Sequence, residues 1–497
     1  MYKLEIKLKQ HTPLIHFQHN QEGATLRASE VKPKLDKYII RKLKESGEYN
    51  DGVQKGWIKT KNGKEWLDYK MRIDDSPENV YSYKTNDKRL YTSINKDNDK
   101  KHNKSILYVT AGQLLKDYNP KTQSLVIKEG NNEYIAKRRD SDSRVIYALT
   151  SYPCFFANID TDITDMNEYR KITFAKNCFK MTILVKNNSL HKILNNGETL
   201  SSFFMNHNFG TRQSKGFGSF FIDEDDPLYV APQADYSFNV STASDEKGFK
   251  MLFDHIDLFI RSIRSGINIK DRNNNTWFYF KSLAFMYCKD VLHAEWDKRR
   301  VKKEFYLTDT PQRKSDSRIQ RSLSAQQNKY PKDEEHDILF FDHPDGYDIR
   351  DLLGFSTNET WLSYKDLIEK KVAIIKNEKL VFPQKQDSTP VDRMRSPLLI
   401  KPVFDTNIGF RVFLIFQDKE VGMDEFKRQK KICFISKKEH SRFMLPLPEQ
   451  FSMDSYFNYI FNKLCFNIEN HVNKTYHGKP EYDKLASIFS QLKDSIR

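Results

Sequence analysis

The sequence predicts an α+β fold built from more than one domain. Three observations point there. The hydrophobic pattern switches repeatedly between period two, which suits half-buried strands, and the 3.6-residue period of amphipathic helices. The chain has 497 residues, which at ordinary domain sizes makes roughly two to four units. Strand and helix patterns recur in both halves, and each half holds a basic turn.

The elements follow in order. Residues 2–9 alternate, with Leu4, Ile6 and Leu8 on one face and Lys3, Glu5, Lys7 and Lys9 on the other, a strand. A turn-like stretch holds His11, Pro13, His16 and His19. A helix follows, with Val31, Leu35, Ile39 and Leu43 on one face. Ser29 is the expected N-cap, which keeps Pro33 within the first turn. Residues 46–145 are rich in Gly, Asn, Asp and Lys with scattered Tyr and Trp, and read as an insertion. Regular pattern resumes with a strand through Phe179, Met181, Ile183 and Val185, and a helical stretch from Leu190 to Phe204. A glycine-rich turn then enters a strand at 219–222. Helices are expected at 249–264 and 280–300, and 308–336 is polar and basic, an exposed loop. The last unit, 337–497, is expected to hold strands at 397–404 and 410–416 around a hairpin loop at 405–409, then helices at 453–471 and 481–494. The domain reading is therefore 1–235 with its insertion, 236–336 as a helical segment and basic loop, and 337–497.

Composition narrows the function. Lys and Arg number 82 against 67 Asp and Glu, a net charge of +15, which favours an anionic partner. Cys154, Cys178, Cys288, Cys433 and Cys465 are far apart and form no C-x-x-C pair, which argues against a disulfide framework and a thiolate zinc site. The start of the chain has no signal-peptide core, and no run of about 18 apolar residues occurs. A cytoplasmic protein with no membrane partner is expected. No phosphate-binding Walker loop, dinucleotide fingerprint or nucleophile elbow is present, so no cofactor is expected.

The most informative segment is Phe209-Gly-Thr-Arg-Gln-Ser-Lys-Gly-Phe-Gly-Ser-Phe-Phe221. Gly216 and Gly218 permit a tight turn and close approach of a ligand. Arg212 and Lys215 supply charge for phosphate, and Phe217 offers a flat face to a base or to the core. Arg27, Ser29, Lys32 and Lys34 cluster at a helix start, where phosphate is favoured; simple capping with solvated lysines is the alternative. His11 and His16 are the candidates for acid–base work near neutral pH, though stacking, hydrogen bonding or solvation is the preferred reading of them. His336-Asp337 and Asp342-His343-x-Asp345 have metal-ligand chemistry, but the apolar run 338–341 between them reads as a strand, and no metal site is expected. The basic runs 298–303 and 313–321 either line an RNA channel or are solvated faces.

Three segments together resemble the repeat-associated RNA-binding (RAMP) superfamily of type III CRISPR effector complexes. They are the first strand running into Thr12-Pro13-Leu14, followed by Leu26-Arg27-Ala28-Ser29-Glu30-Val31-Lys32; the loop Arg212–Ser219; and Arg393-Met394-Arg395-Ser396-Pro397-Leu398-Leu399-Ile400. The last is similar to the strand entry of the first subunit of the Cmr, type III-B, complex. The resemblance implies two ferredoxin-like (RRM-like, βαββαβ) domains with antiparallel sheets. It implies a non-catalytic subunit that contacts CRISPR RNA and target RNA near the 3′ end of the guide and binds other type III subunits. It implies RNA contacts at Arg27, Ser29, Lys32, Arg212, Lys215, Gly216, Phe217, Gly218, Arg393 and Arg395, the last two open to a subunit contact instead. Because related proteins cut guide RNA without metal, a metal-independent endoribonuclease using His11 or His16 stands as one alternative. A purely structural subunit stands as the other.

Overall fold

The computed structural model describes residues 1–15, 25–74, 80–84, 98–99, 104–108, 124–129, 132–137, 171–271, 275–306, 346–361, 366–376, 379–381, 394–428 and 430–495. The architecture is α+β with predominantly antiparallel sheets. The chain divides into two compact units. One comprises Met1–Asp235, Asn239–Phe253 and Ile400–Ile415; the other comprises Tyr236–Phe238, Asp254–Leu399 and Phe416–Arg497.

The first unit is built on β1 (Tyr2–Gln10), α1 (Ala28–Ser46), β2 (Tyr69–Asp74), β3 (Phe179–Val185), α2 (Asn188–Leu194), α3 (Gly197–Met205) and β4 (Phe220–Ile222). The four strands form one sheet in the order β4-β1-β3-β2, every pairing antiparallel. Period two decides which face is buried. Leu4, Ile6, Leu8, Phe179, Met181, Ile183 and Val185 point inward, and meet Val31, Leu35, Ile39 and Leu43 of α1 and Leu200, Phe203 and Phe204 of α3. Val403 and Phe413 from the far-off 400–415 segment join this core.

Several local expectations shift. α1 begins two residues earlier than Ser29 suggests: Arg27 is the extended N-cap, without a side-chain capping bond, and Ser29 is an exposed residue of the first turn. Pro33 is thereby the sixth helical residue, where it forfeits one i→i−4 bond; the apolar stripe above outweighs that loss. The stretch 190–204 is two helices, because Asn196 accepts from Thr199 N–H at 2.8 Å and so starts a new one. Within the expected insertion, 69–74 is a strand of the main sheet. Its inward Tyr69, Met71 and Ile73 alternate with Lys70, Arg72 and Asp74, a period hidden by polar neighbours. The hairpin Leu398–Asp405/Gly409–Phe416 lies where expected, but residues 400–415 belong to the first unit.

The second unit carries an antiparallel sheet in the order 358–361, 366–376, 430–436, 442–446, with 379–381 also on 366–376. Its helices include Leu283–Asp290 and Asp297–Tyr306, separated by a short strand where one helix over 280–300 was expected, and Pro480–Asp494. The expected helix 453–471 is Met453–Asn458, a π-helical turn at 459–463 and a last turn at 468–471. A buried ionic network knits this unit. Arg350 donates to Asp297 at 2.5 Å and to both oxygens of Glu359, and Lys370 donates to Asp351 at 2.6 Å.

Candidate functional site

The glycine-rich segment joins α3 to β4 and is tied down from three directions. From the end of β1, Thr12 Oγ1 donates to Gly216 O at 2.6 Å and accepts from Ser219 N–H at 2.9 Å, while Pro13 O and Ile15 O accept from Gly218 N–H and Thr211 N–H. From α1, Lys34 Nζ donates to Asn208 O and to Gln213 Oε1, both at 2.8 Å. From the 400–415 segment, Ile400 N–H donates to Ser214 O, and Pro402 O accepts from Ser219 Oγ at 2.6 Å. Asn208 bridges the loop, its Nδ2 donating to Gln213 O and to Ile400 O. Thr12-Pro13 after β1, Lys34 of α1 and Ile400 of the strand Leu398–Asp405 thus converge on this loop.

Backbone geometry explains the glycines. Gly218 sits at φ +65°, and a Cβ there would lie 2.0 Å from Phe209 O, a contact no side chain tolerates. Gly216 is at φ +85°. Arg212 itself occupies the left-handed region at φ 56°, uncommon for a non-glycine residue and a mark of a loop held by its surroundings. Residues 211–215 are half-buried and 216–220 buried, so Arg212 and Lys215 lie on the more open side of the turn.

Among the described residues, the most buried cation is one that sequence reading passed over. Lys401 is fully buried, and its Nζ donates to Phe220 O (2.7 Å), His207 O (3.0 Å) and Asn208 Oδ1 (3.2 Å). Burial, with Lys34 nearby, holds its ammonium well below the usual lysine range. The signal was available: Lys401 is the lone charge in Leu398-Leu-Ile-Lys-Pro-Val-Phe404.

The other expected site residues fall as follows. Phe217 is fully buried and its ring stacks on Phe253, with centroids 3.9 Å apart; the face that could meet a base is committed to the core. Lys32 pairs with Asp36 at 2.7 Å, donates to Leu67 O and lies over the Tyr69 ring, so its charge is spent inside the unit. Arg27 is half-buried at the mouth of α1 and Ser29 exposed. Arg395, in the second unit, donates to Gln417 Oε1 at 2.9 Å. His11 is buried, with Nδ1 accepting from Phe404 N–H at 3.0 Å. Burial, then Lys401 and Lys9, keep its imidazole well below the usual histidine range, hence neutral. In the basic run 298–303, Arg300 pairs with Glu295 and Glu304, Arg299 approaches Glu295, and Lys298 donates to Ser265 O. Arg393, His16, His336, Asp337, Asp342, His343, Asp345, the run 313–321 and most of 75–145 lie outside the described residues.

Comparison with protein families covers almost the whole chain. The Cmr1 N-terminal domain matches residues 1–129 and 116–267, and the Cmr1 C-terminal domain matches 279–494. These matches define the chain as a subunit of the Cmr complex, the type III-B CRISPR effector. Within that complex it belongs to the Cmr1 family. No curated protein and no solved structure matched it. Among the described residues, no helix is long and apolar enough to cross a membrane.

Proposed function

We propose that this Cmr subunit binds RNA without cutting it, contacting guide and target near the 3′ end of the guide. One observation carries the reading: the Arg212–Ser219 loop is preorganised by Thr12, Lys34, Asn208 and Ile400–Pro402, with Arg212 and Lys215 on its open side. A rigid loop loses little entropy on binding, and cations placed at phosphates give sequence-independent, salt-sensitive affinity. Base pairing with the guide would then supply the specificity. The order βαββαβ with strands β4-β1-β3-β2 supports a ferredoxin-like reading of the first unit. For the second unit that reading rests on family resemblance. The neutral, enclosed His11 is poorly suited to protonate a leaving oxygen, which favours binding over cleavage.

The test is incubation of the full chain with labelled repeat-derived RNA in EDTA at two salt concentrations, read on native and denaturing gels. A salt-sensitive shift of intact RNA, weakened by Arg212→Ala/Lys215→Ala, is expected. Discrete metal-independent cleavage would replace the binding subunit with a nuclease. Absence of both shift and cleavage would leave a subunit that contacts only its protein siblings.

A further inference from the structure

The face of the β4-β1-β3-β2 sheet opposite the helices has an unusual charge pattern. On its three long strands, the outward positions are Lys3, Glu5, Lys7 and Lys9 of β1, Lys180, Thr182 and Leu184 of β3, and Lys70, Arg72 and Asp74 of β2. Six cations stand against two carboxylates, and none of these positions is aromatic. Lys3 and Lys180 both reach Glu5, at 2.6 and 2.8 Å, and together hold its carboxyl down to about 2. Arg72 pairs with Asp74 yet keeps 80% of its side chain exposed. Lys7, Lys9 and Lys70 form no ion pair among the described residues. At the margin, Asp223 accepts from the Cys178 thiol at 3.1 Å.

A merely solvated face would not be expected to look like this. Lys7 lies directly opposite Lys180 in the antiparallel register, and like charges directly opposite destabilise a sheet. Solubility is served as well by mixed signs, which would avoid that cost. A row of lysines on alternate residues, roughly 6.8 Å apart along the strand, instead makes a flat cationic track. β1 ends at Gln10 and runs directly into Thr12, which holds the glycine-rich loop, so the track leads to the loop through one strand.

We propose that this sheet face is a second RNA contact surface, one that follows the phosphate backbone and reads no base. It rests on the RNA-binding reading above and extends it from a loop to a track. Phe221 of β4, which lies opposite Lys9, is buried, so with no exposed aromatic at the outward strand positions the face can contribute charge neutralisation but not base stacking, and its effect on affinity should be the same for all sequences.

The test compares the full-length wild type with Lys7→Gln/Lys9→Gln/Lys70→Gln, with the corresponding triple Lys→Arg variant, and with Arg212→Ala/Lys215→Ala. The probe is unstructured single-stranded RNA of two unrelated sequences, with the dissociation constant followed across salt. At ~0.7 per phosphate contact on single strands, the Gln triple is expected to lower the salt slope by about 2. It should also weaken binding about tenfold or more at low salt, equally for both RNAs, with an unchanged melting curve. The Arg triple should behave as wild type. If the Gln triple keeps wild-type slope and affinity while the loop variant weakens, the track is refuted and the loop reading survives. If the Gln triple keeps its RNA affinity but no longer assembles with sibling subunits, the face docks acidic protein and the proposal is wrong. If the wild type binds neither RNA, the RNA-binding reading falls and the track with it.

Discussion

At the residue scale, the same amino acid can serve a ligand or the core, and packing decides which. Phe217 at the tip of a glycine-rich turn invites a base, but its ring lies flat on Phe253 with no exposure. A stacked aromatic pair contributes about 0.5–1.5 kcal/mol beyond the area it buries, and pulling the ring out would also open a cavity. Phe217→Leu is therefore expected to lower stability by about 1–2 kcal/mol while leaving RNA affinity at wild-type level in the folded protein. Urea denaturation and a binding titration check the two halves. A variant as stable as wild type but severalfold weaker for RNA would put the ring back at the ligand. The surrounding polar residues follow the opposite logic. Thr12, Asn208, Ser219 and Lys401 are buried and hydrogen-bonded, because a buried polar group left unpaired costs about 1–3 kcal/mol. They fix the loop so that Arg212 and Lys215 need not be fixed at binding.

At the element scale, what the sequence reveals depends on whether period or long-range contact decides the outcome. β1, α1 and β3 are legible because their inward residues repeat at period two or 3.6, and the 398–416 hairpin because two nearly continuous apolar runs flank a turn. β2 is not: its three inward residues are sandwiched between polar ones in a segment whose composition resembles a loop. The loop motif is legible from its glycines, but not its anchors, since Lys34, Asn208 and Ile400 meet only after folding. The buried charge network of the second unit is likewise invisible, because Asp297, Arg350, Asp351, Glu359 and Lys370 come from four separate stretches. That network has a pH signature. Burial alone would raise the Glu359 carboxyl, but Arg350 and Lys370 outweigh it and bring it down to about 2, from 4.5. A carboxylate whose folded value is depressed stabilises fully above its unfolded value and loses that contribution as pH falls through the folded one. The stability gap between wild type and Glu359→Gln should thus be widest above about pH 4.5 and close by up to roughly 3 kcal/mol on descent to pH 2. Chemical denaturation at stepped pH measures it. A gap that stays constant across the window would mean that Glu359 is not held by its two cations.

At the scale of the whole molecule, the chain order and the folded units do not coincide. The family matches break between residues 267 and 279, which suggests a cut there into two independent halves. The first unit, however, also requires residues 400–415. That late segment sends Val403 and Phe413 into the core of the four-stranded sheet, Lys401 to Phe220 O and Asn208, and Ile400 to the loop itself. A fragment of residues 1–267 would leave Val403 and Phe413 sites unfilled. Losing a large buried side chain costs about 2–5 kcal/mol, and two together approach the whole stability of an ordinary domain, 5–15 kcal/mol. The loop would also lose the partners of Asn208, Ser214 and Ser219. The fragment is therefore expected to melt at markedly lower temperature than the corresponding transition of the full chain, and to show fast amide exchange at residues 208–220. A synthetic peptide of residues 396–418, added in excess, should raise its melting point in a concentration-dependent way, as any ligand of the native state must. A fragment that melts cooperatively at the full-chain temperature, with its loop protected and no response to the peptide, would show that the first unit closes without the late hairpin. The interleaving would then be a matter of packing rather than of folding.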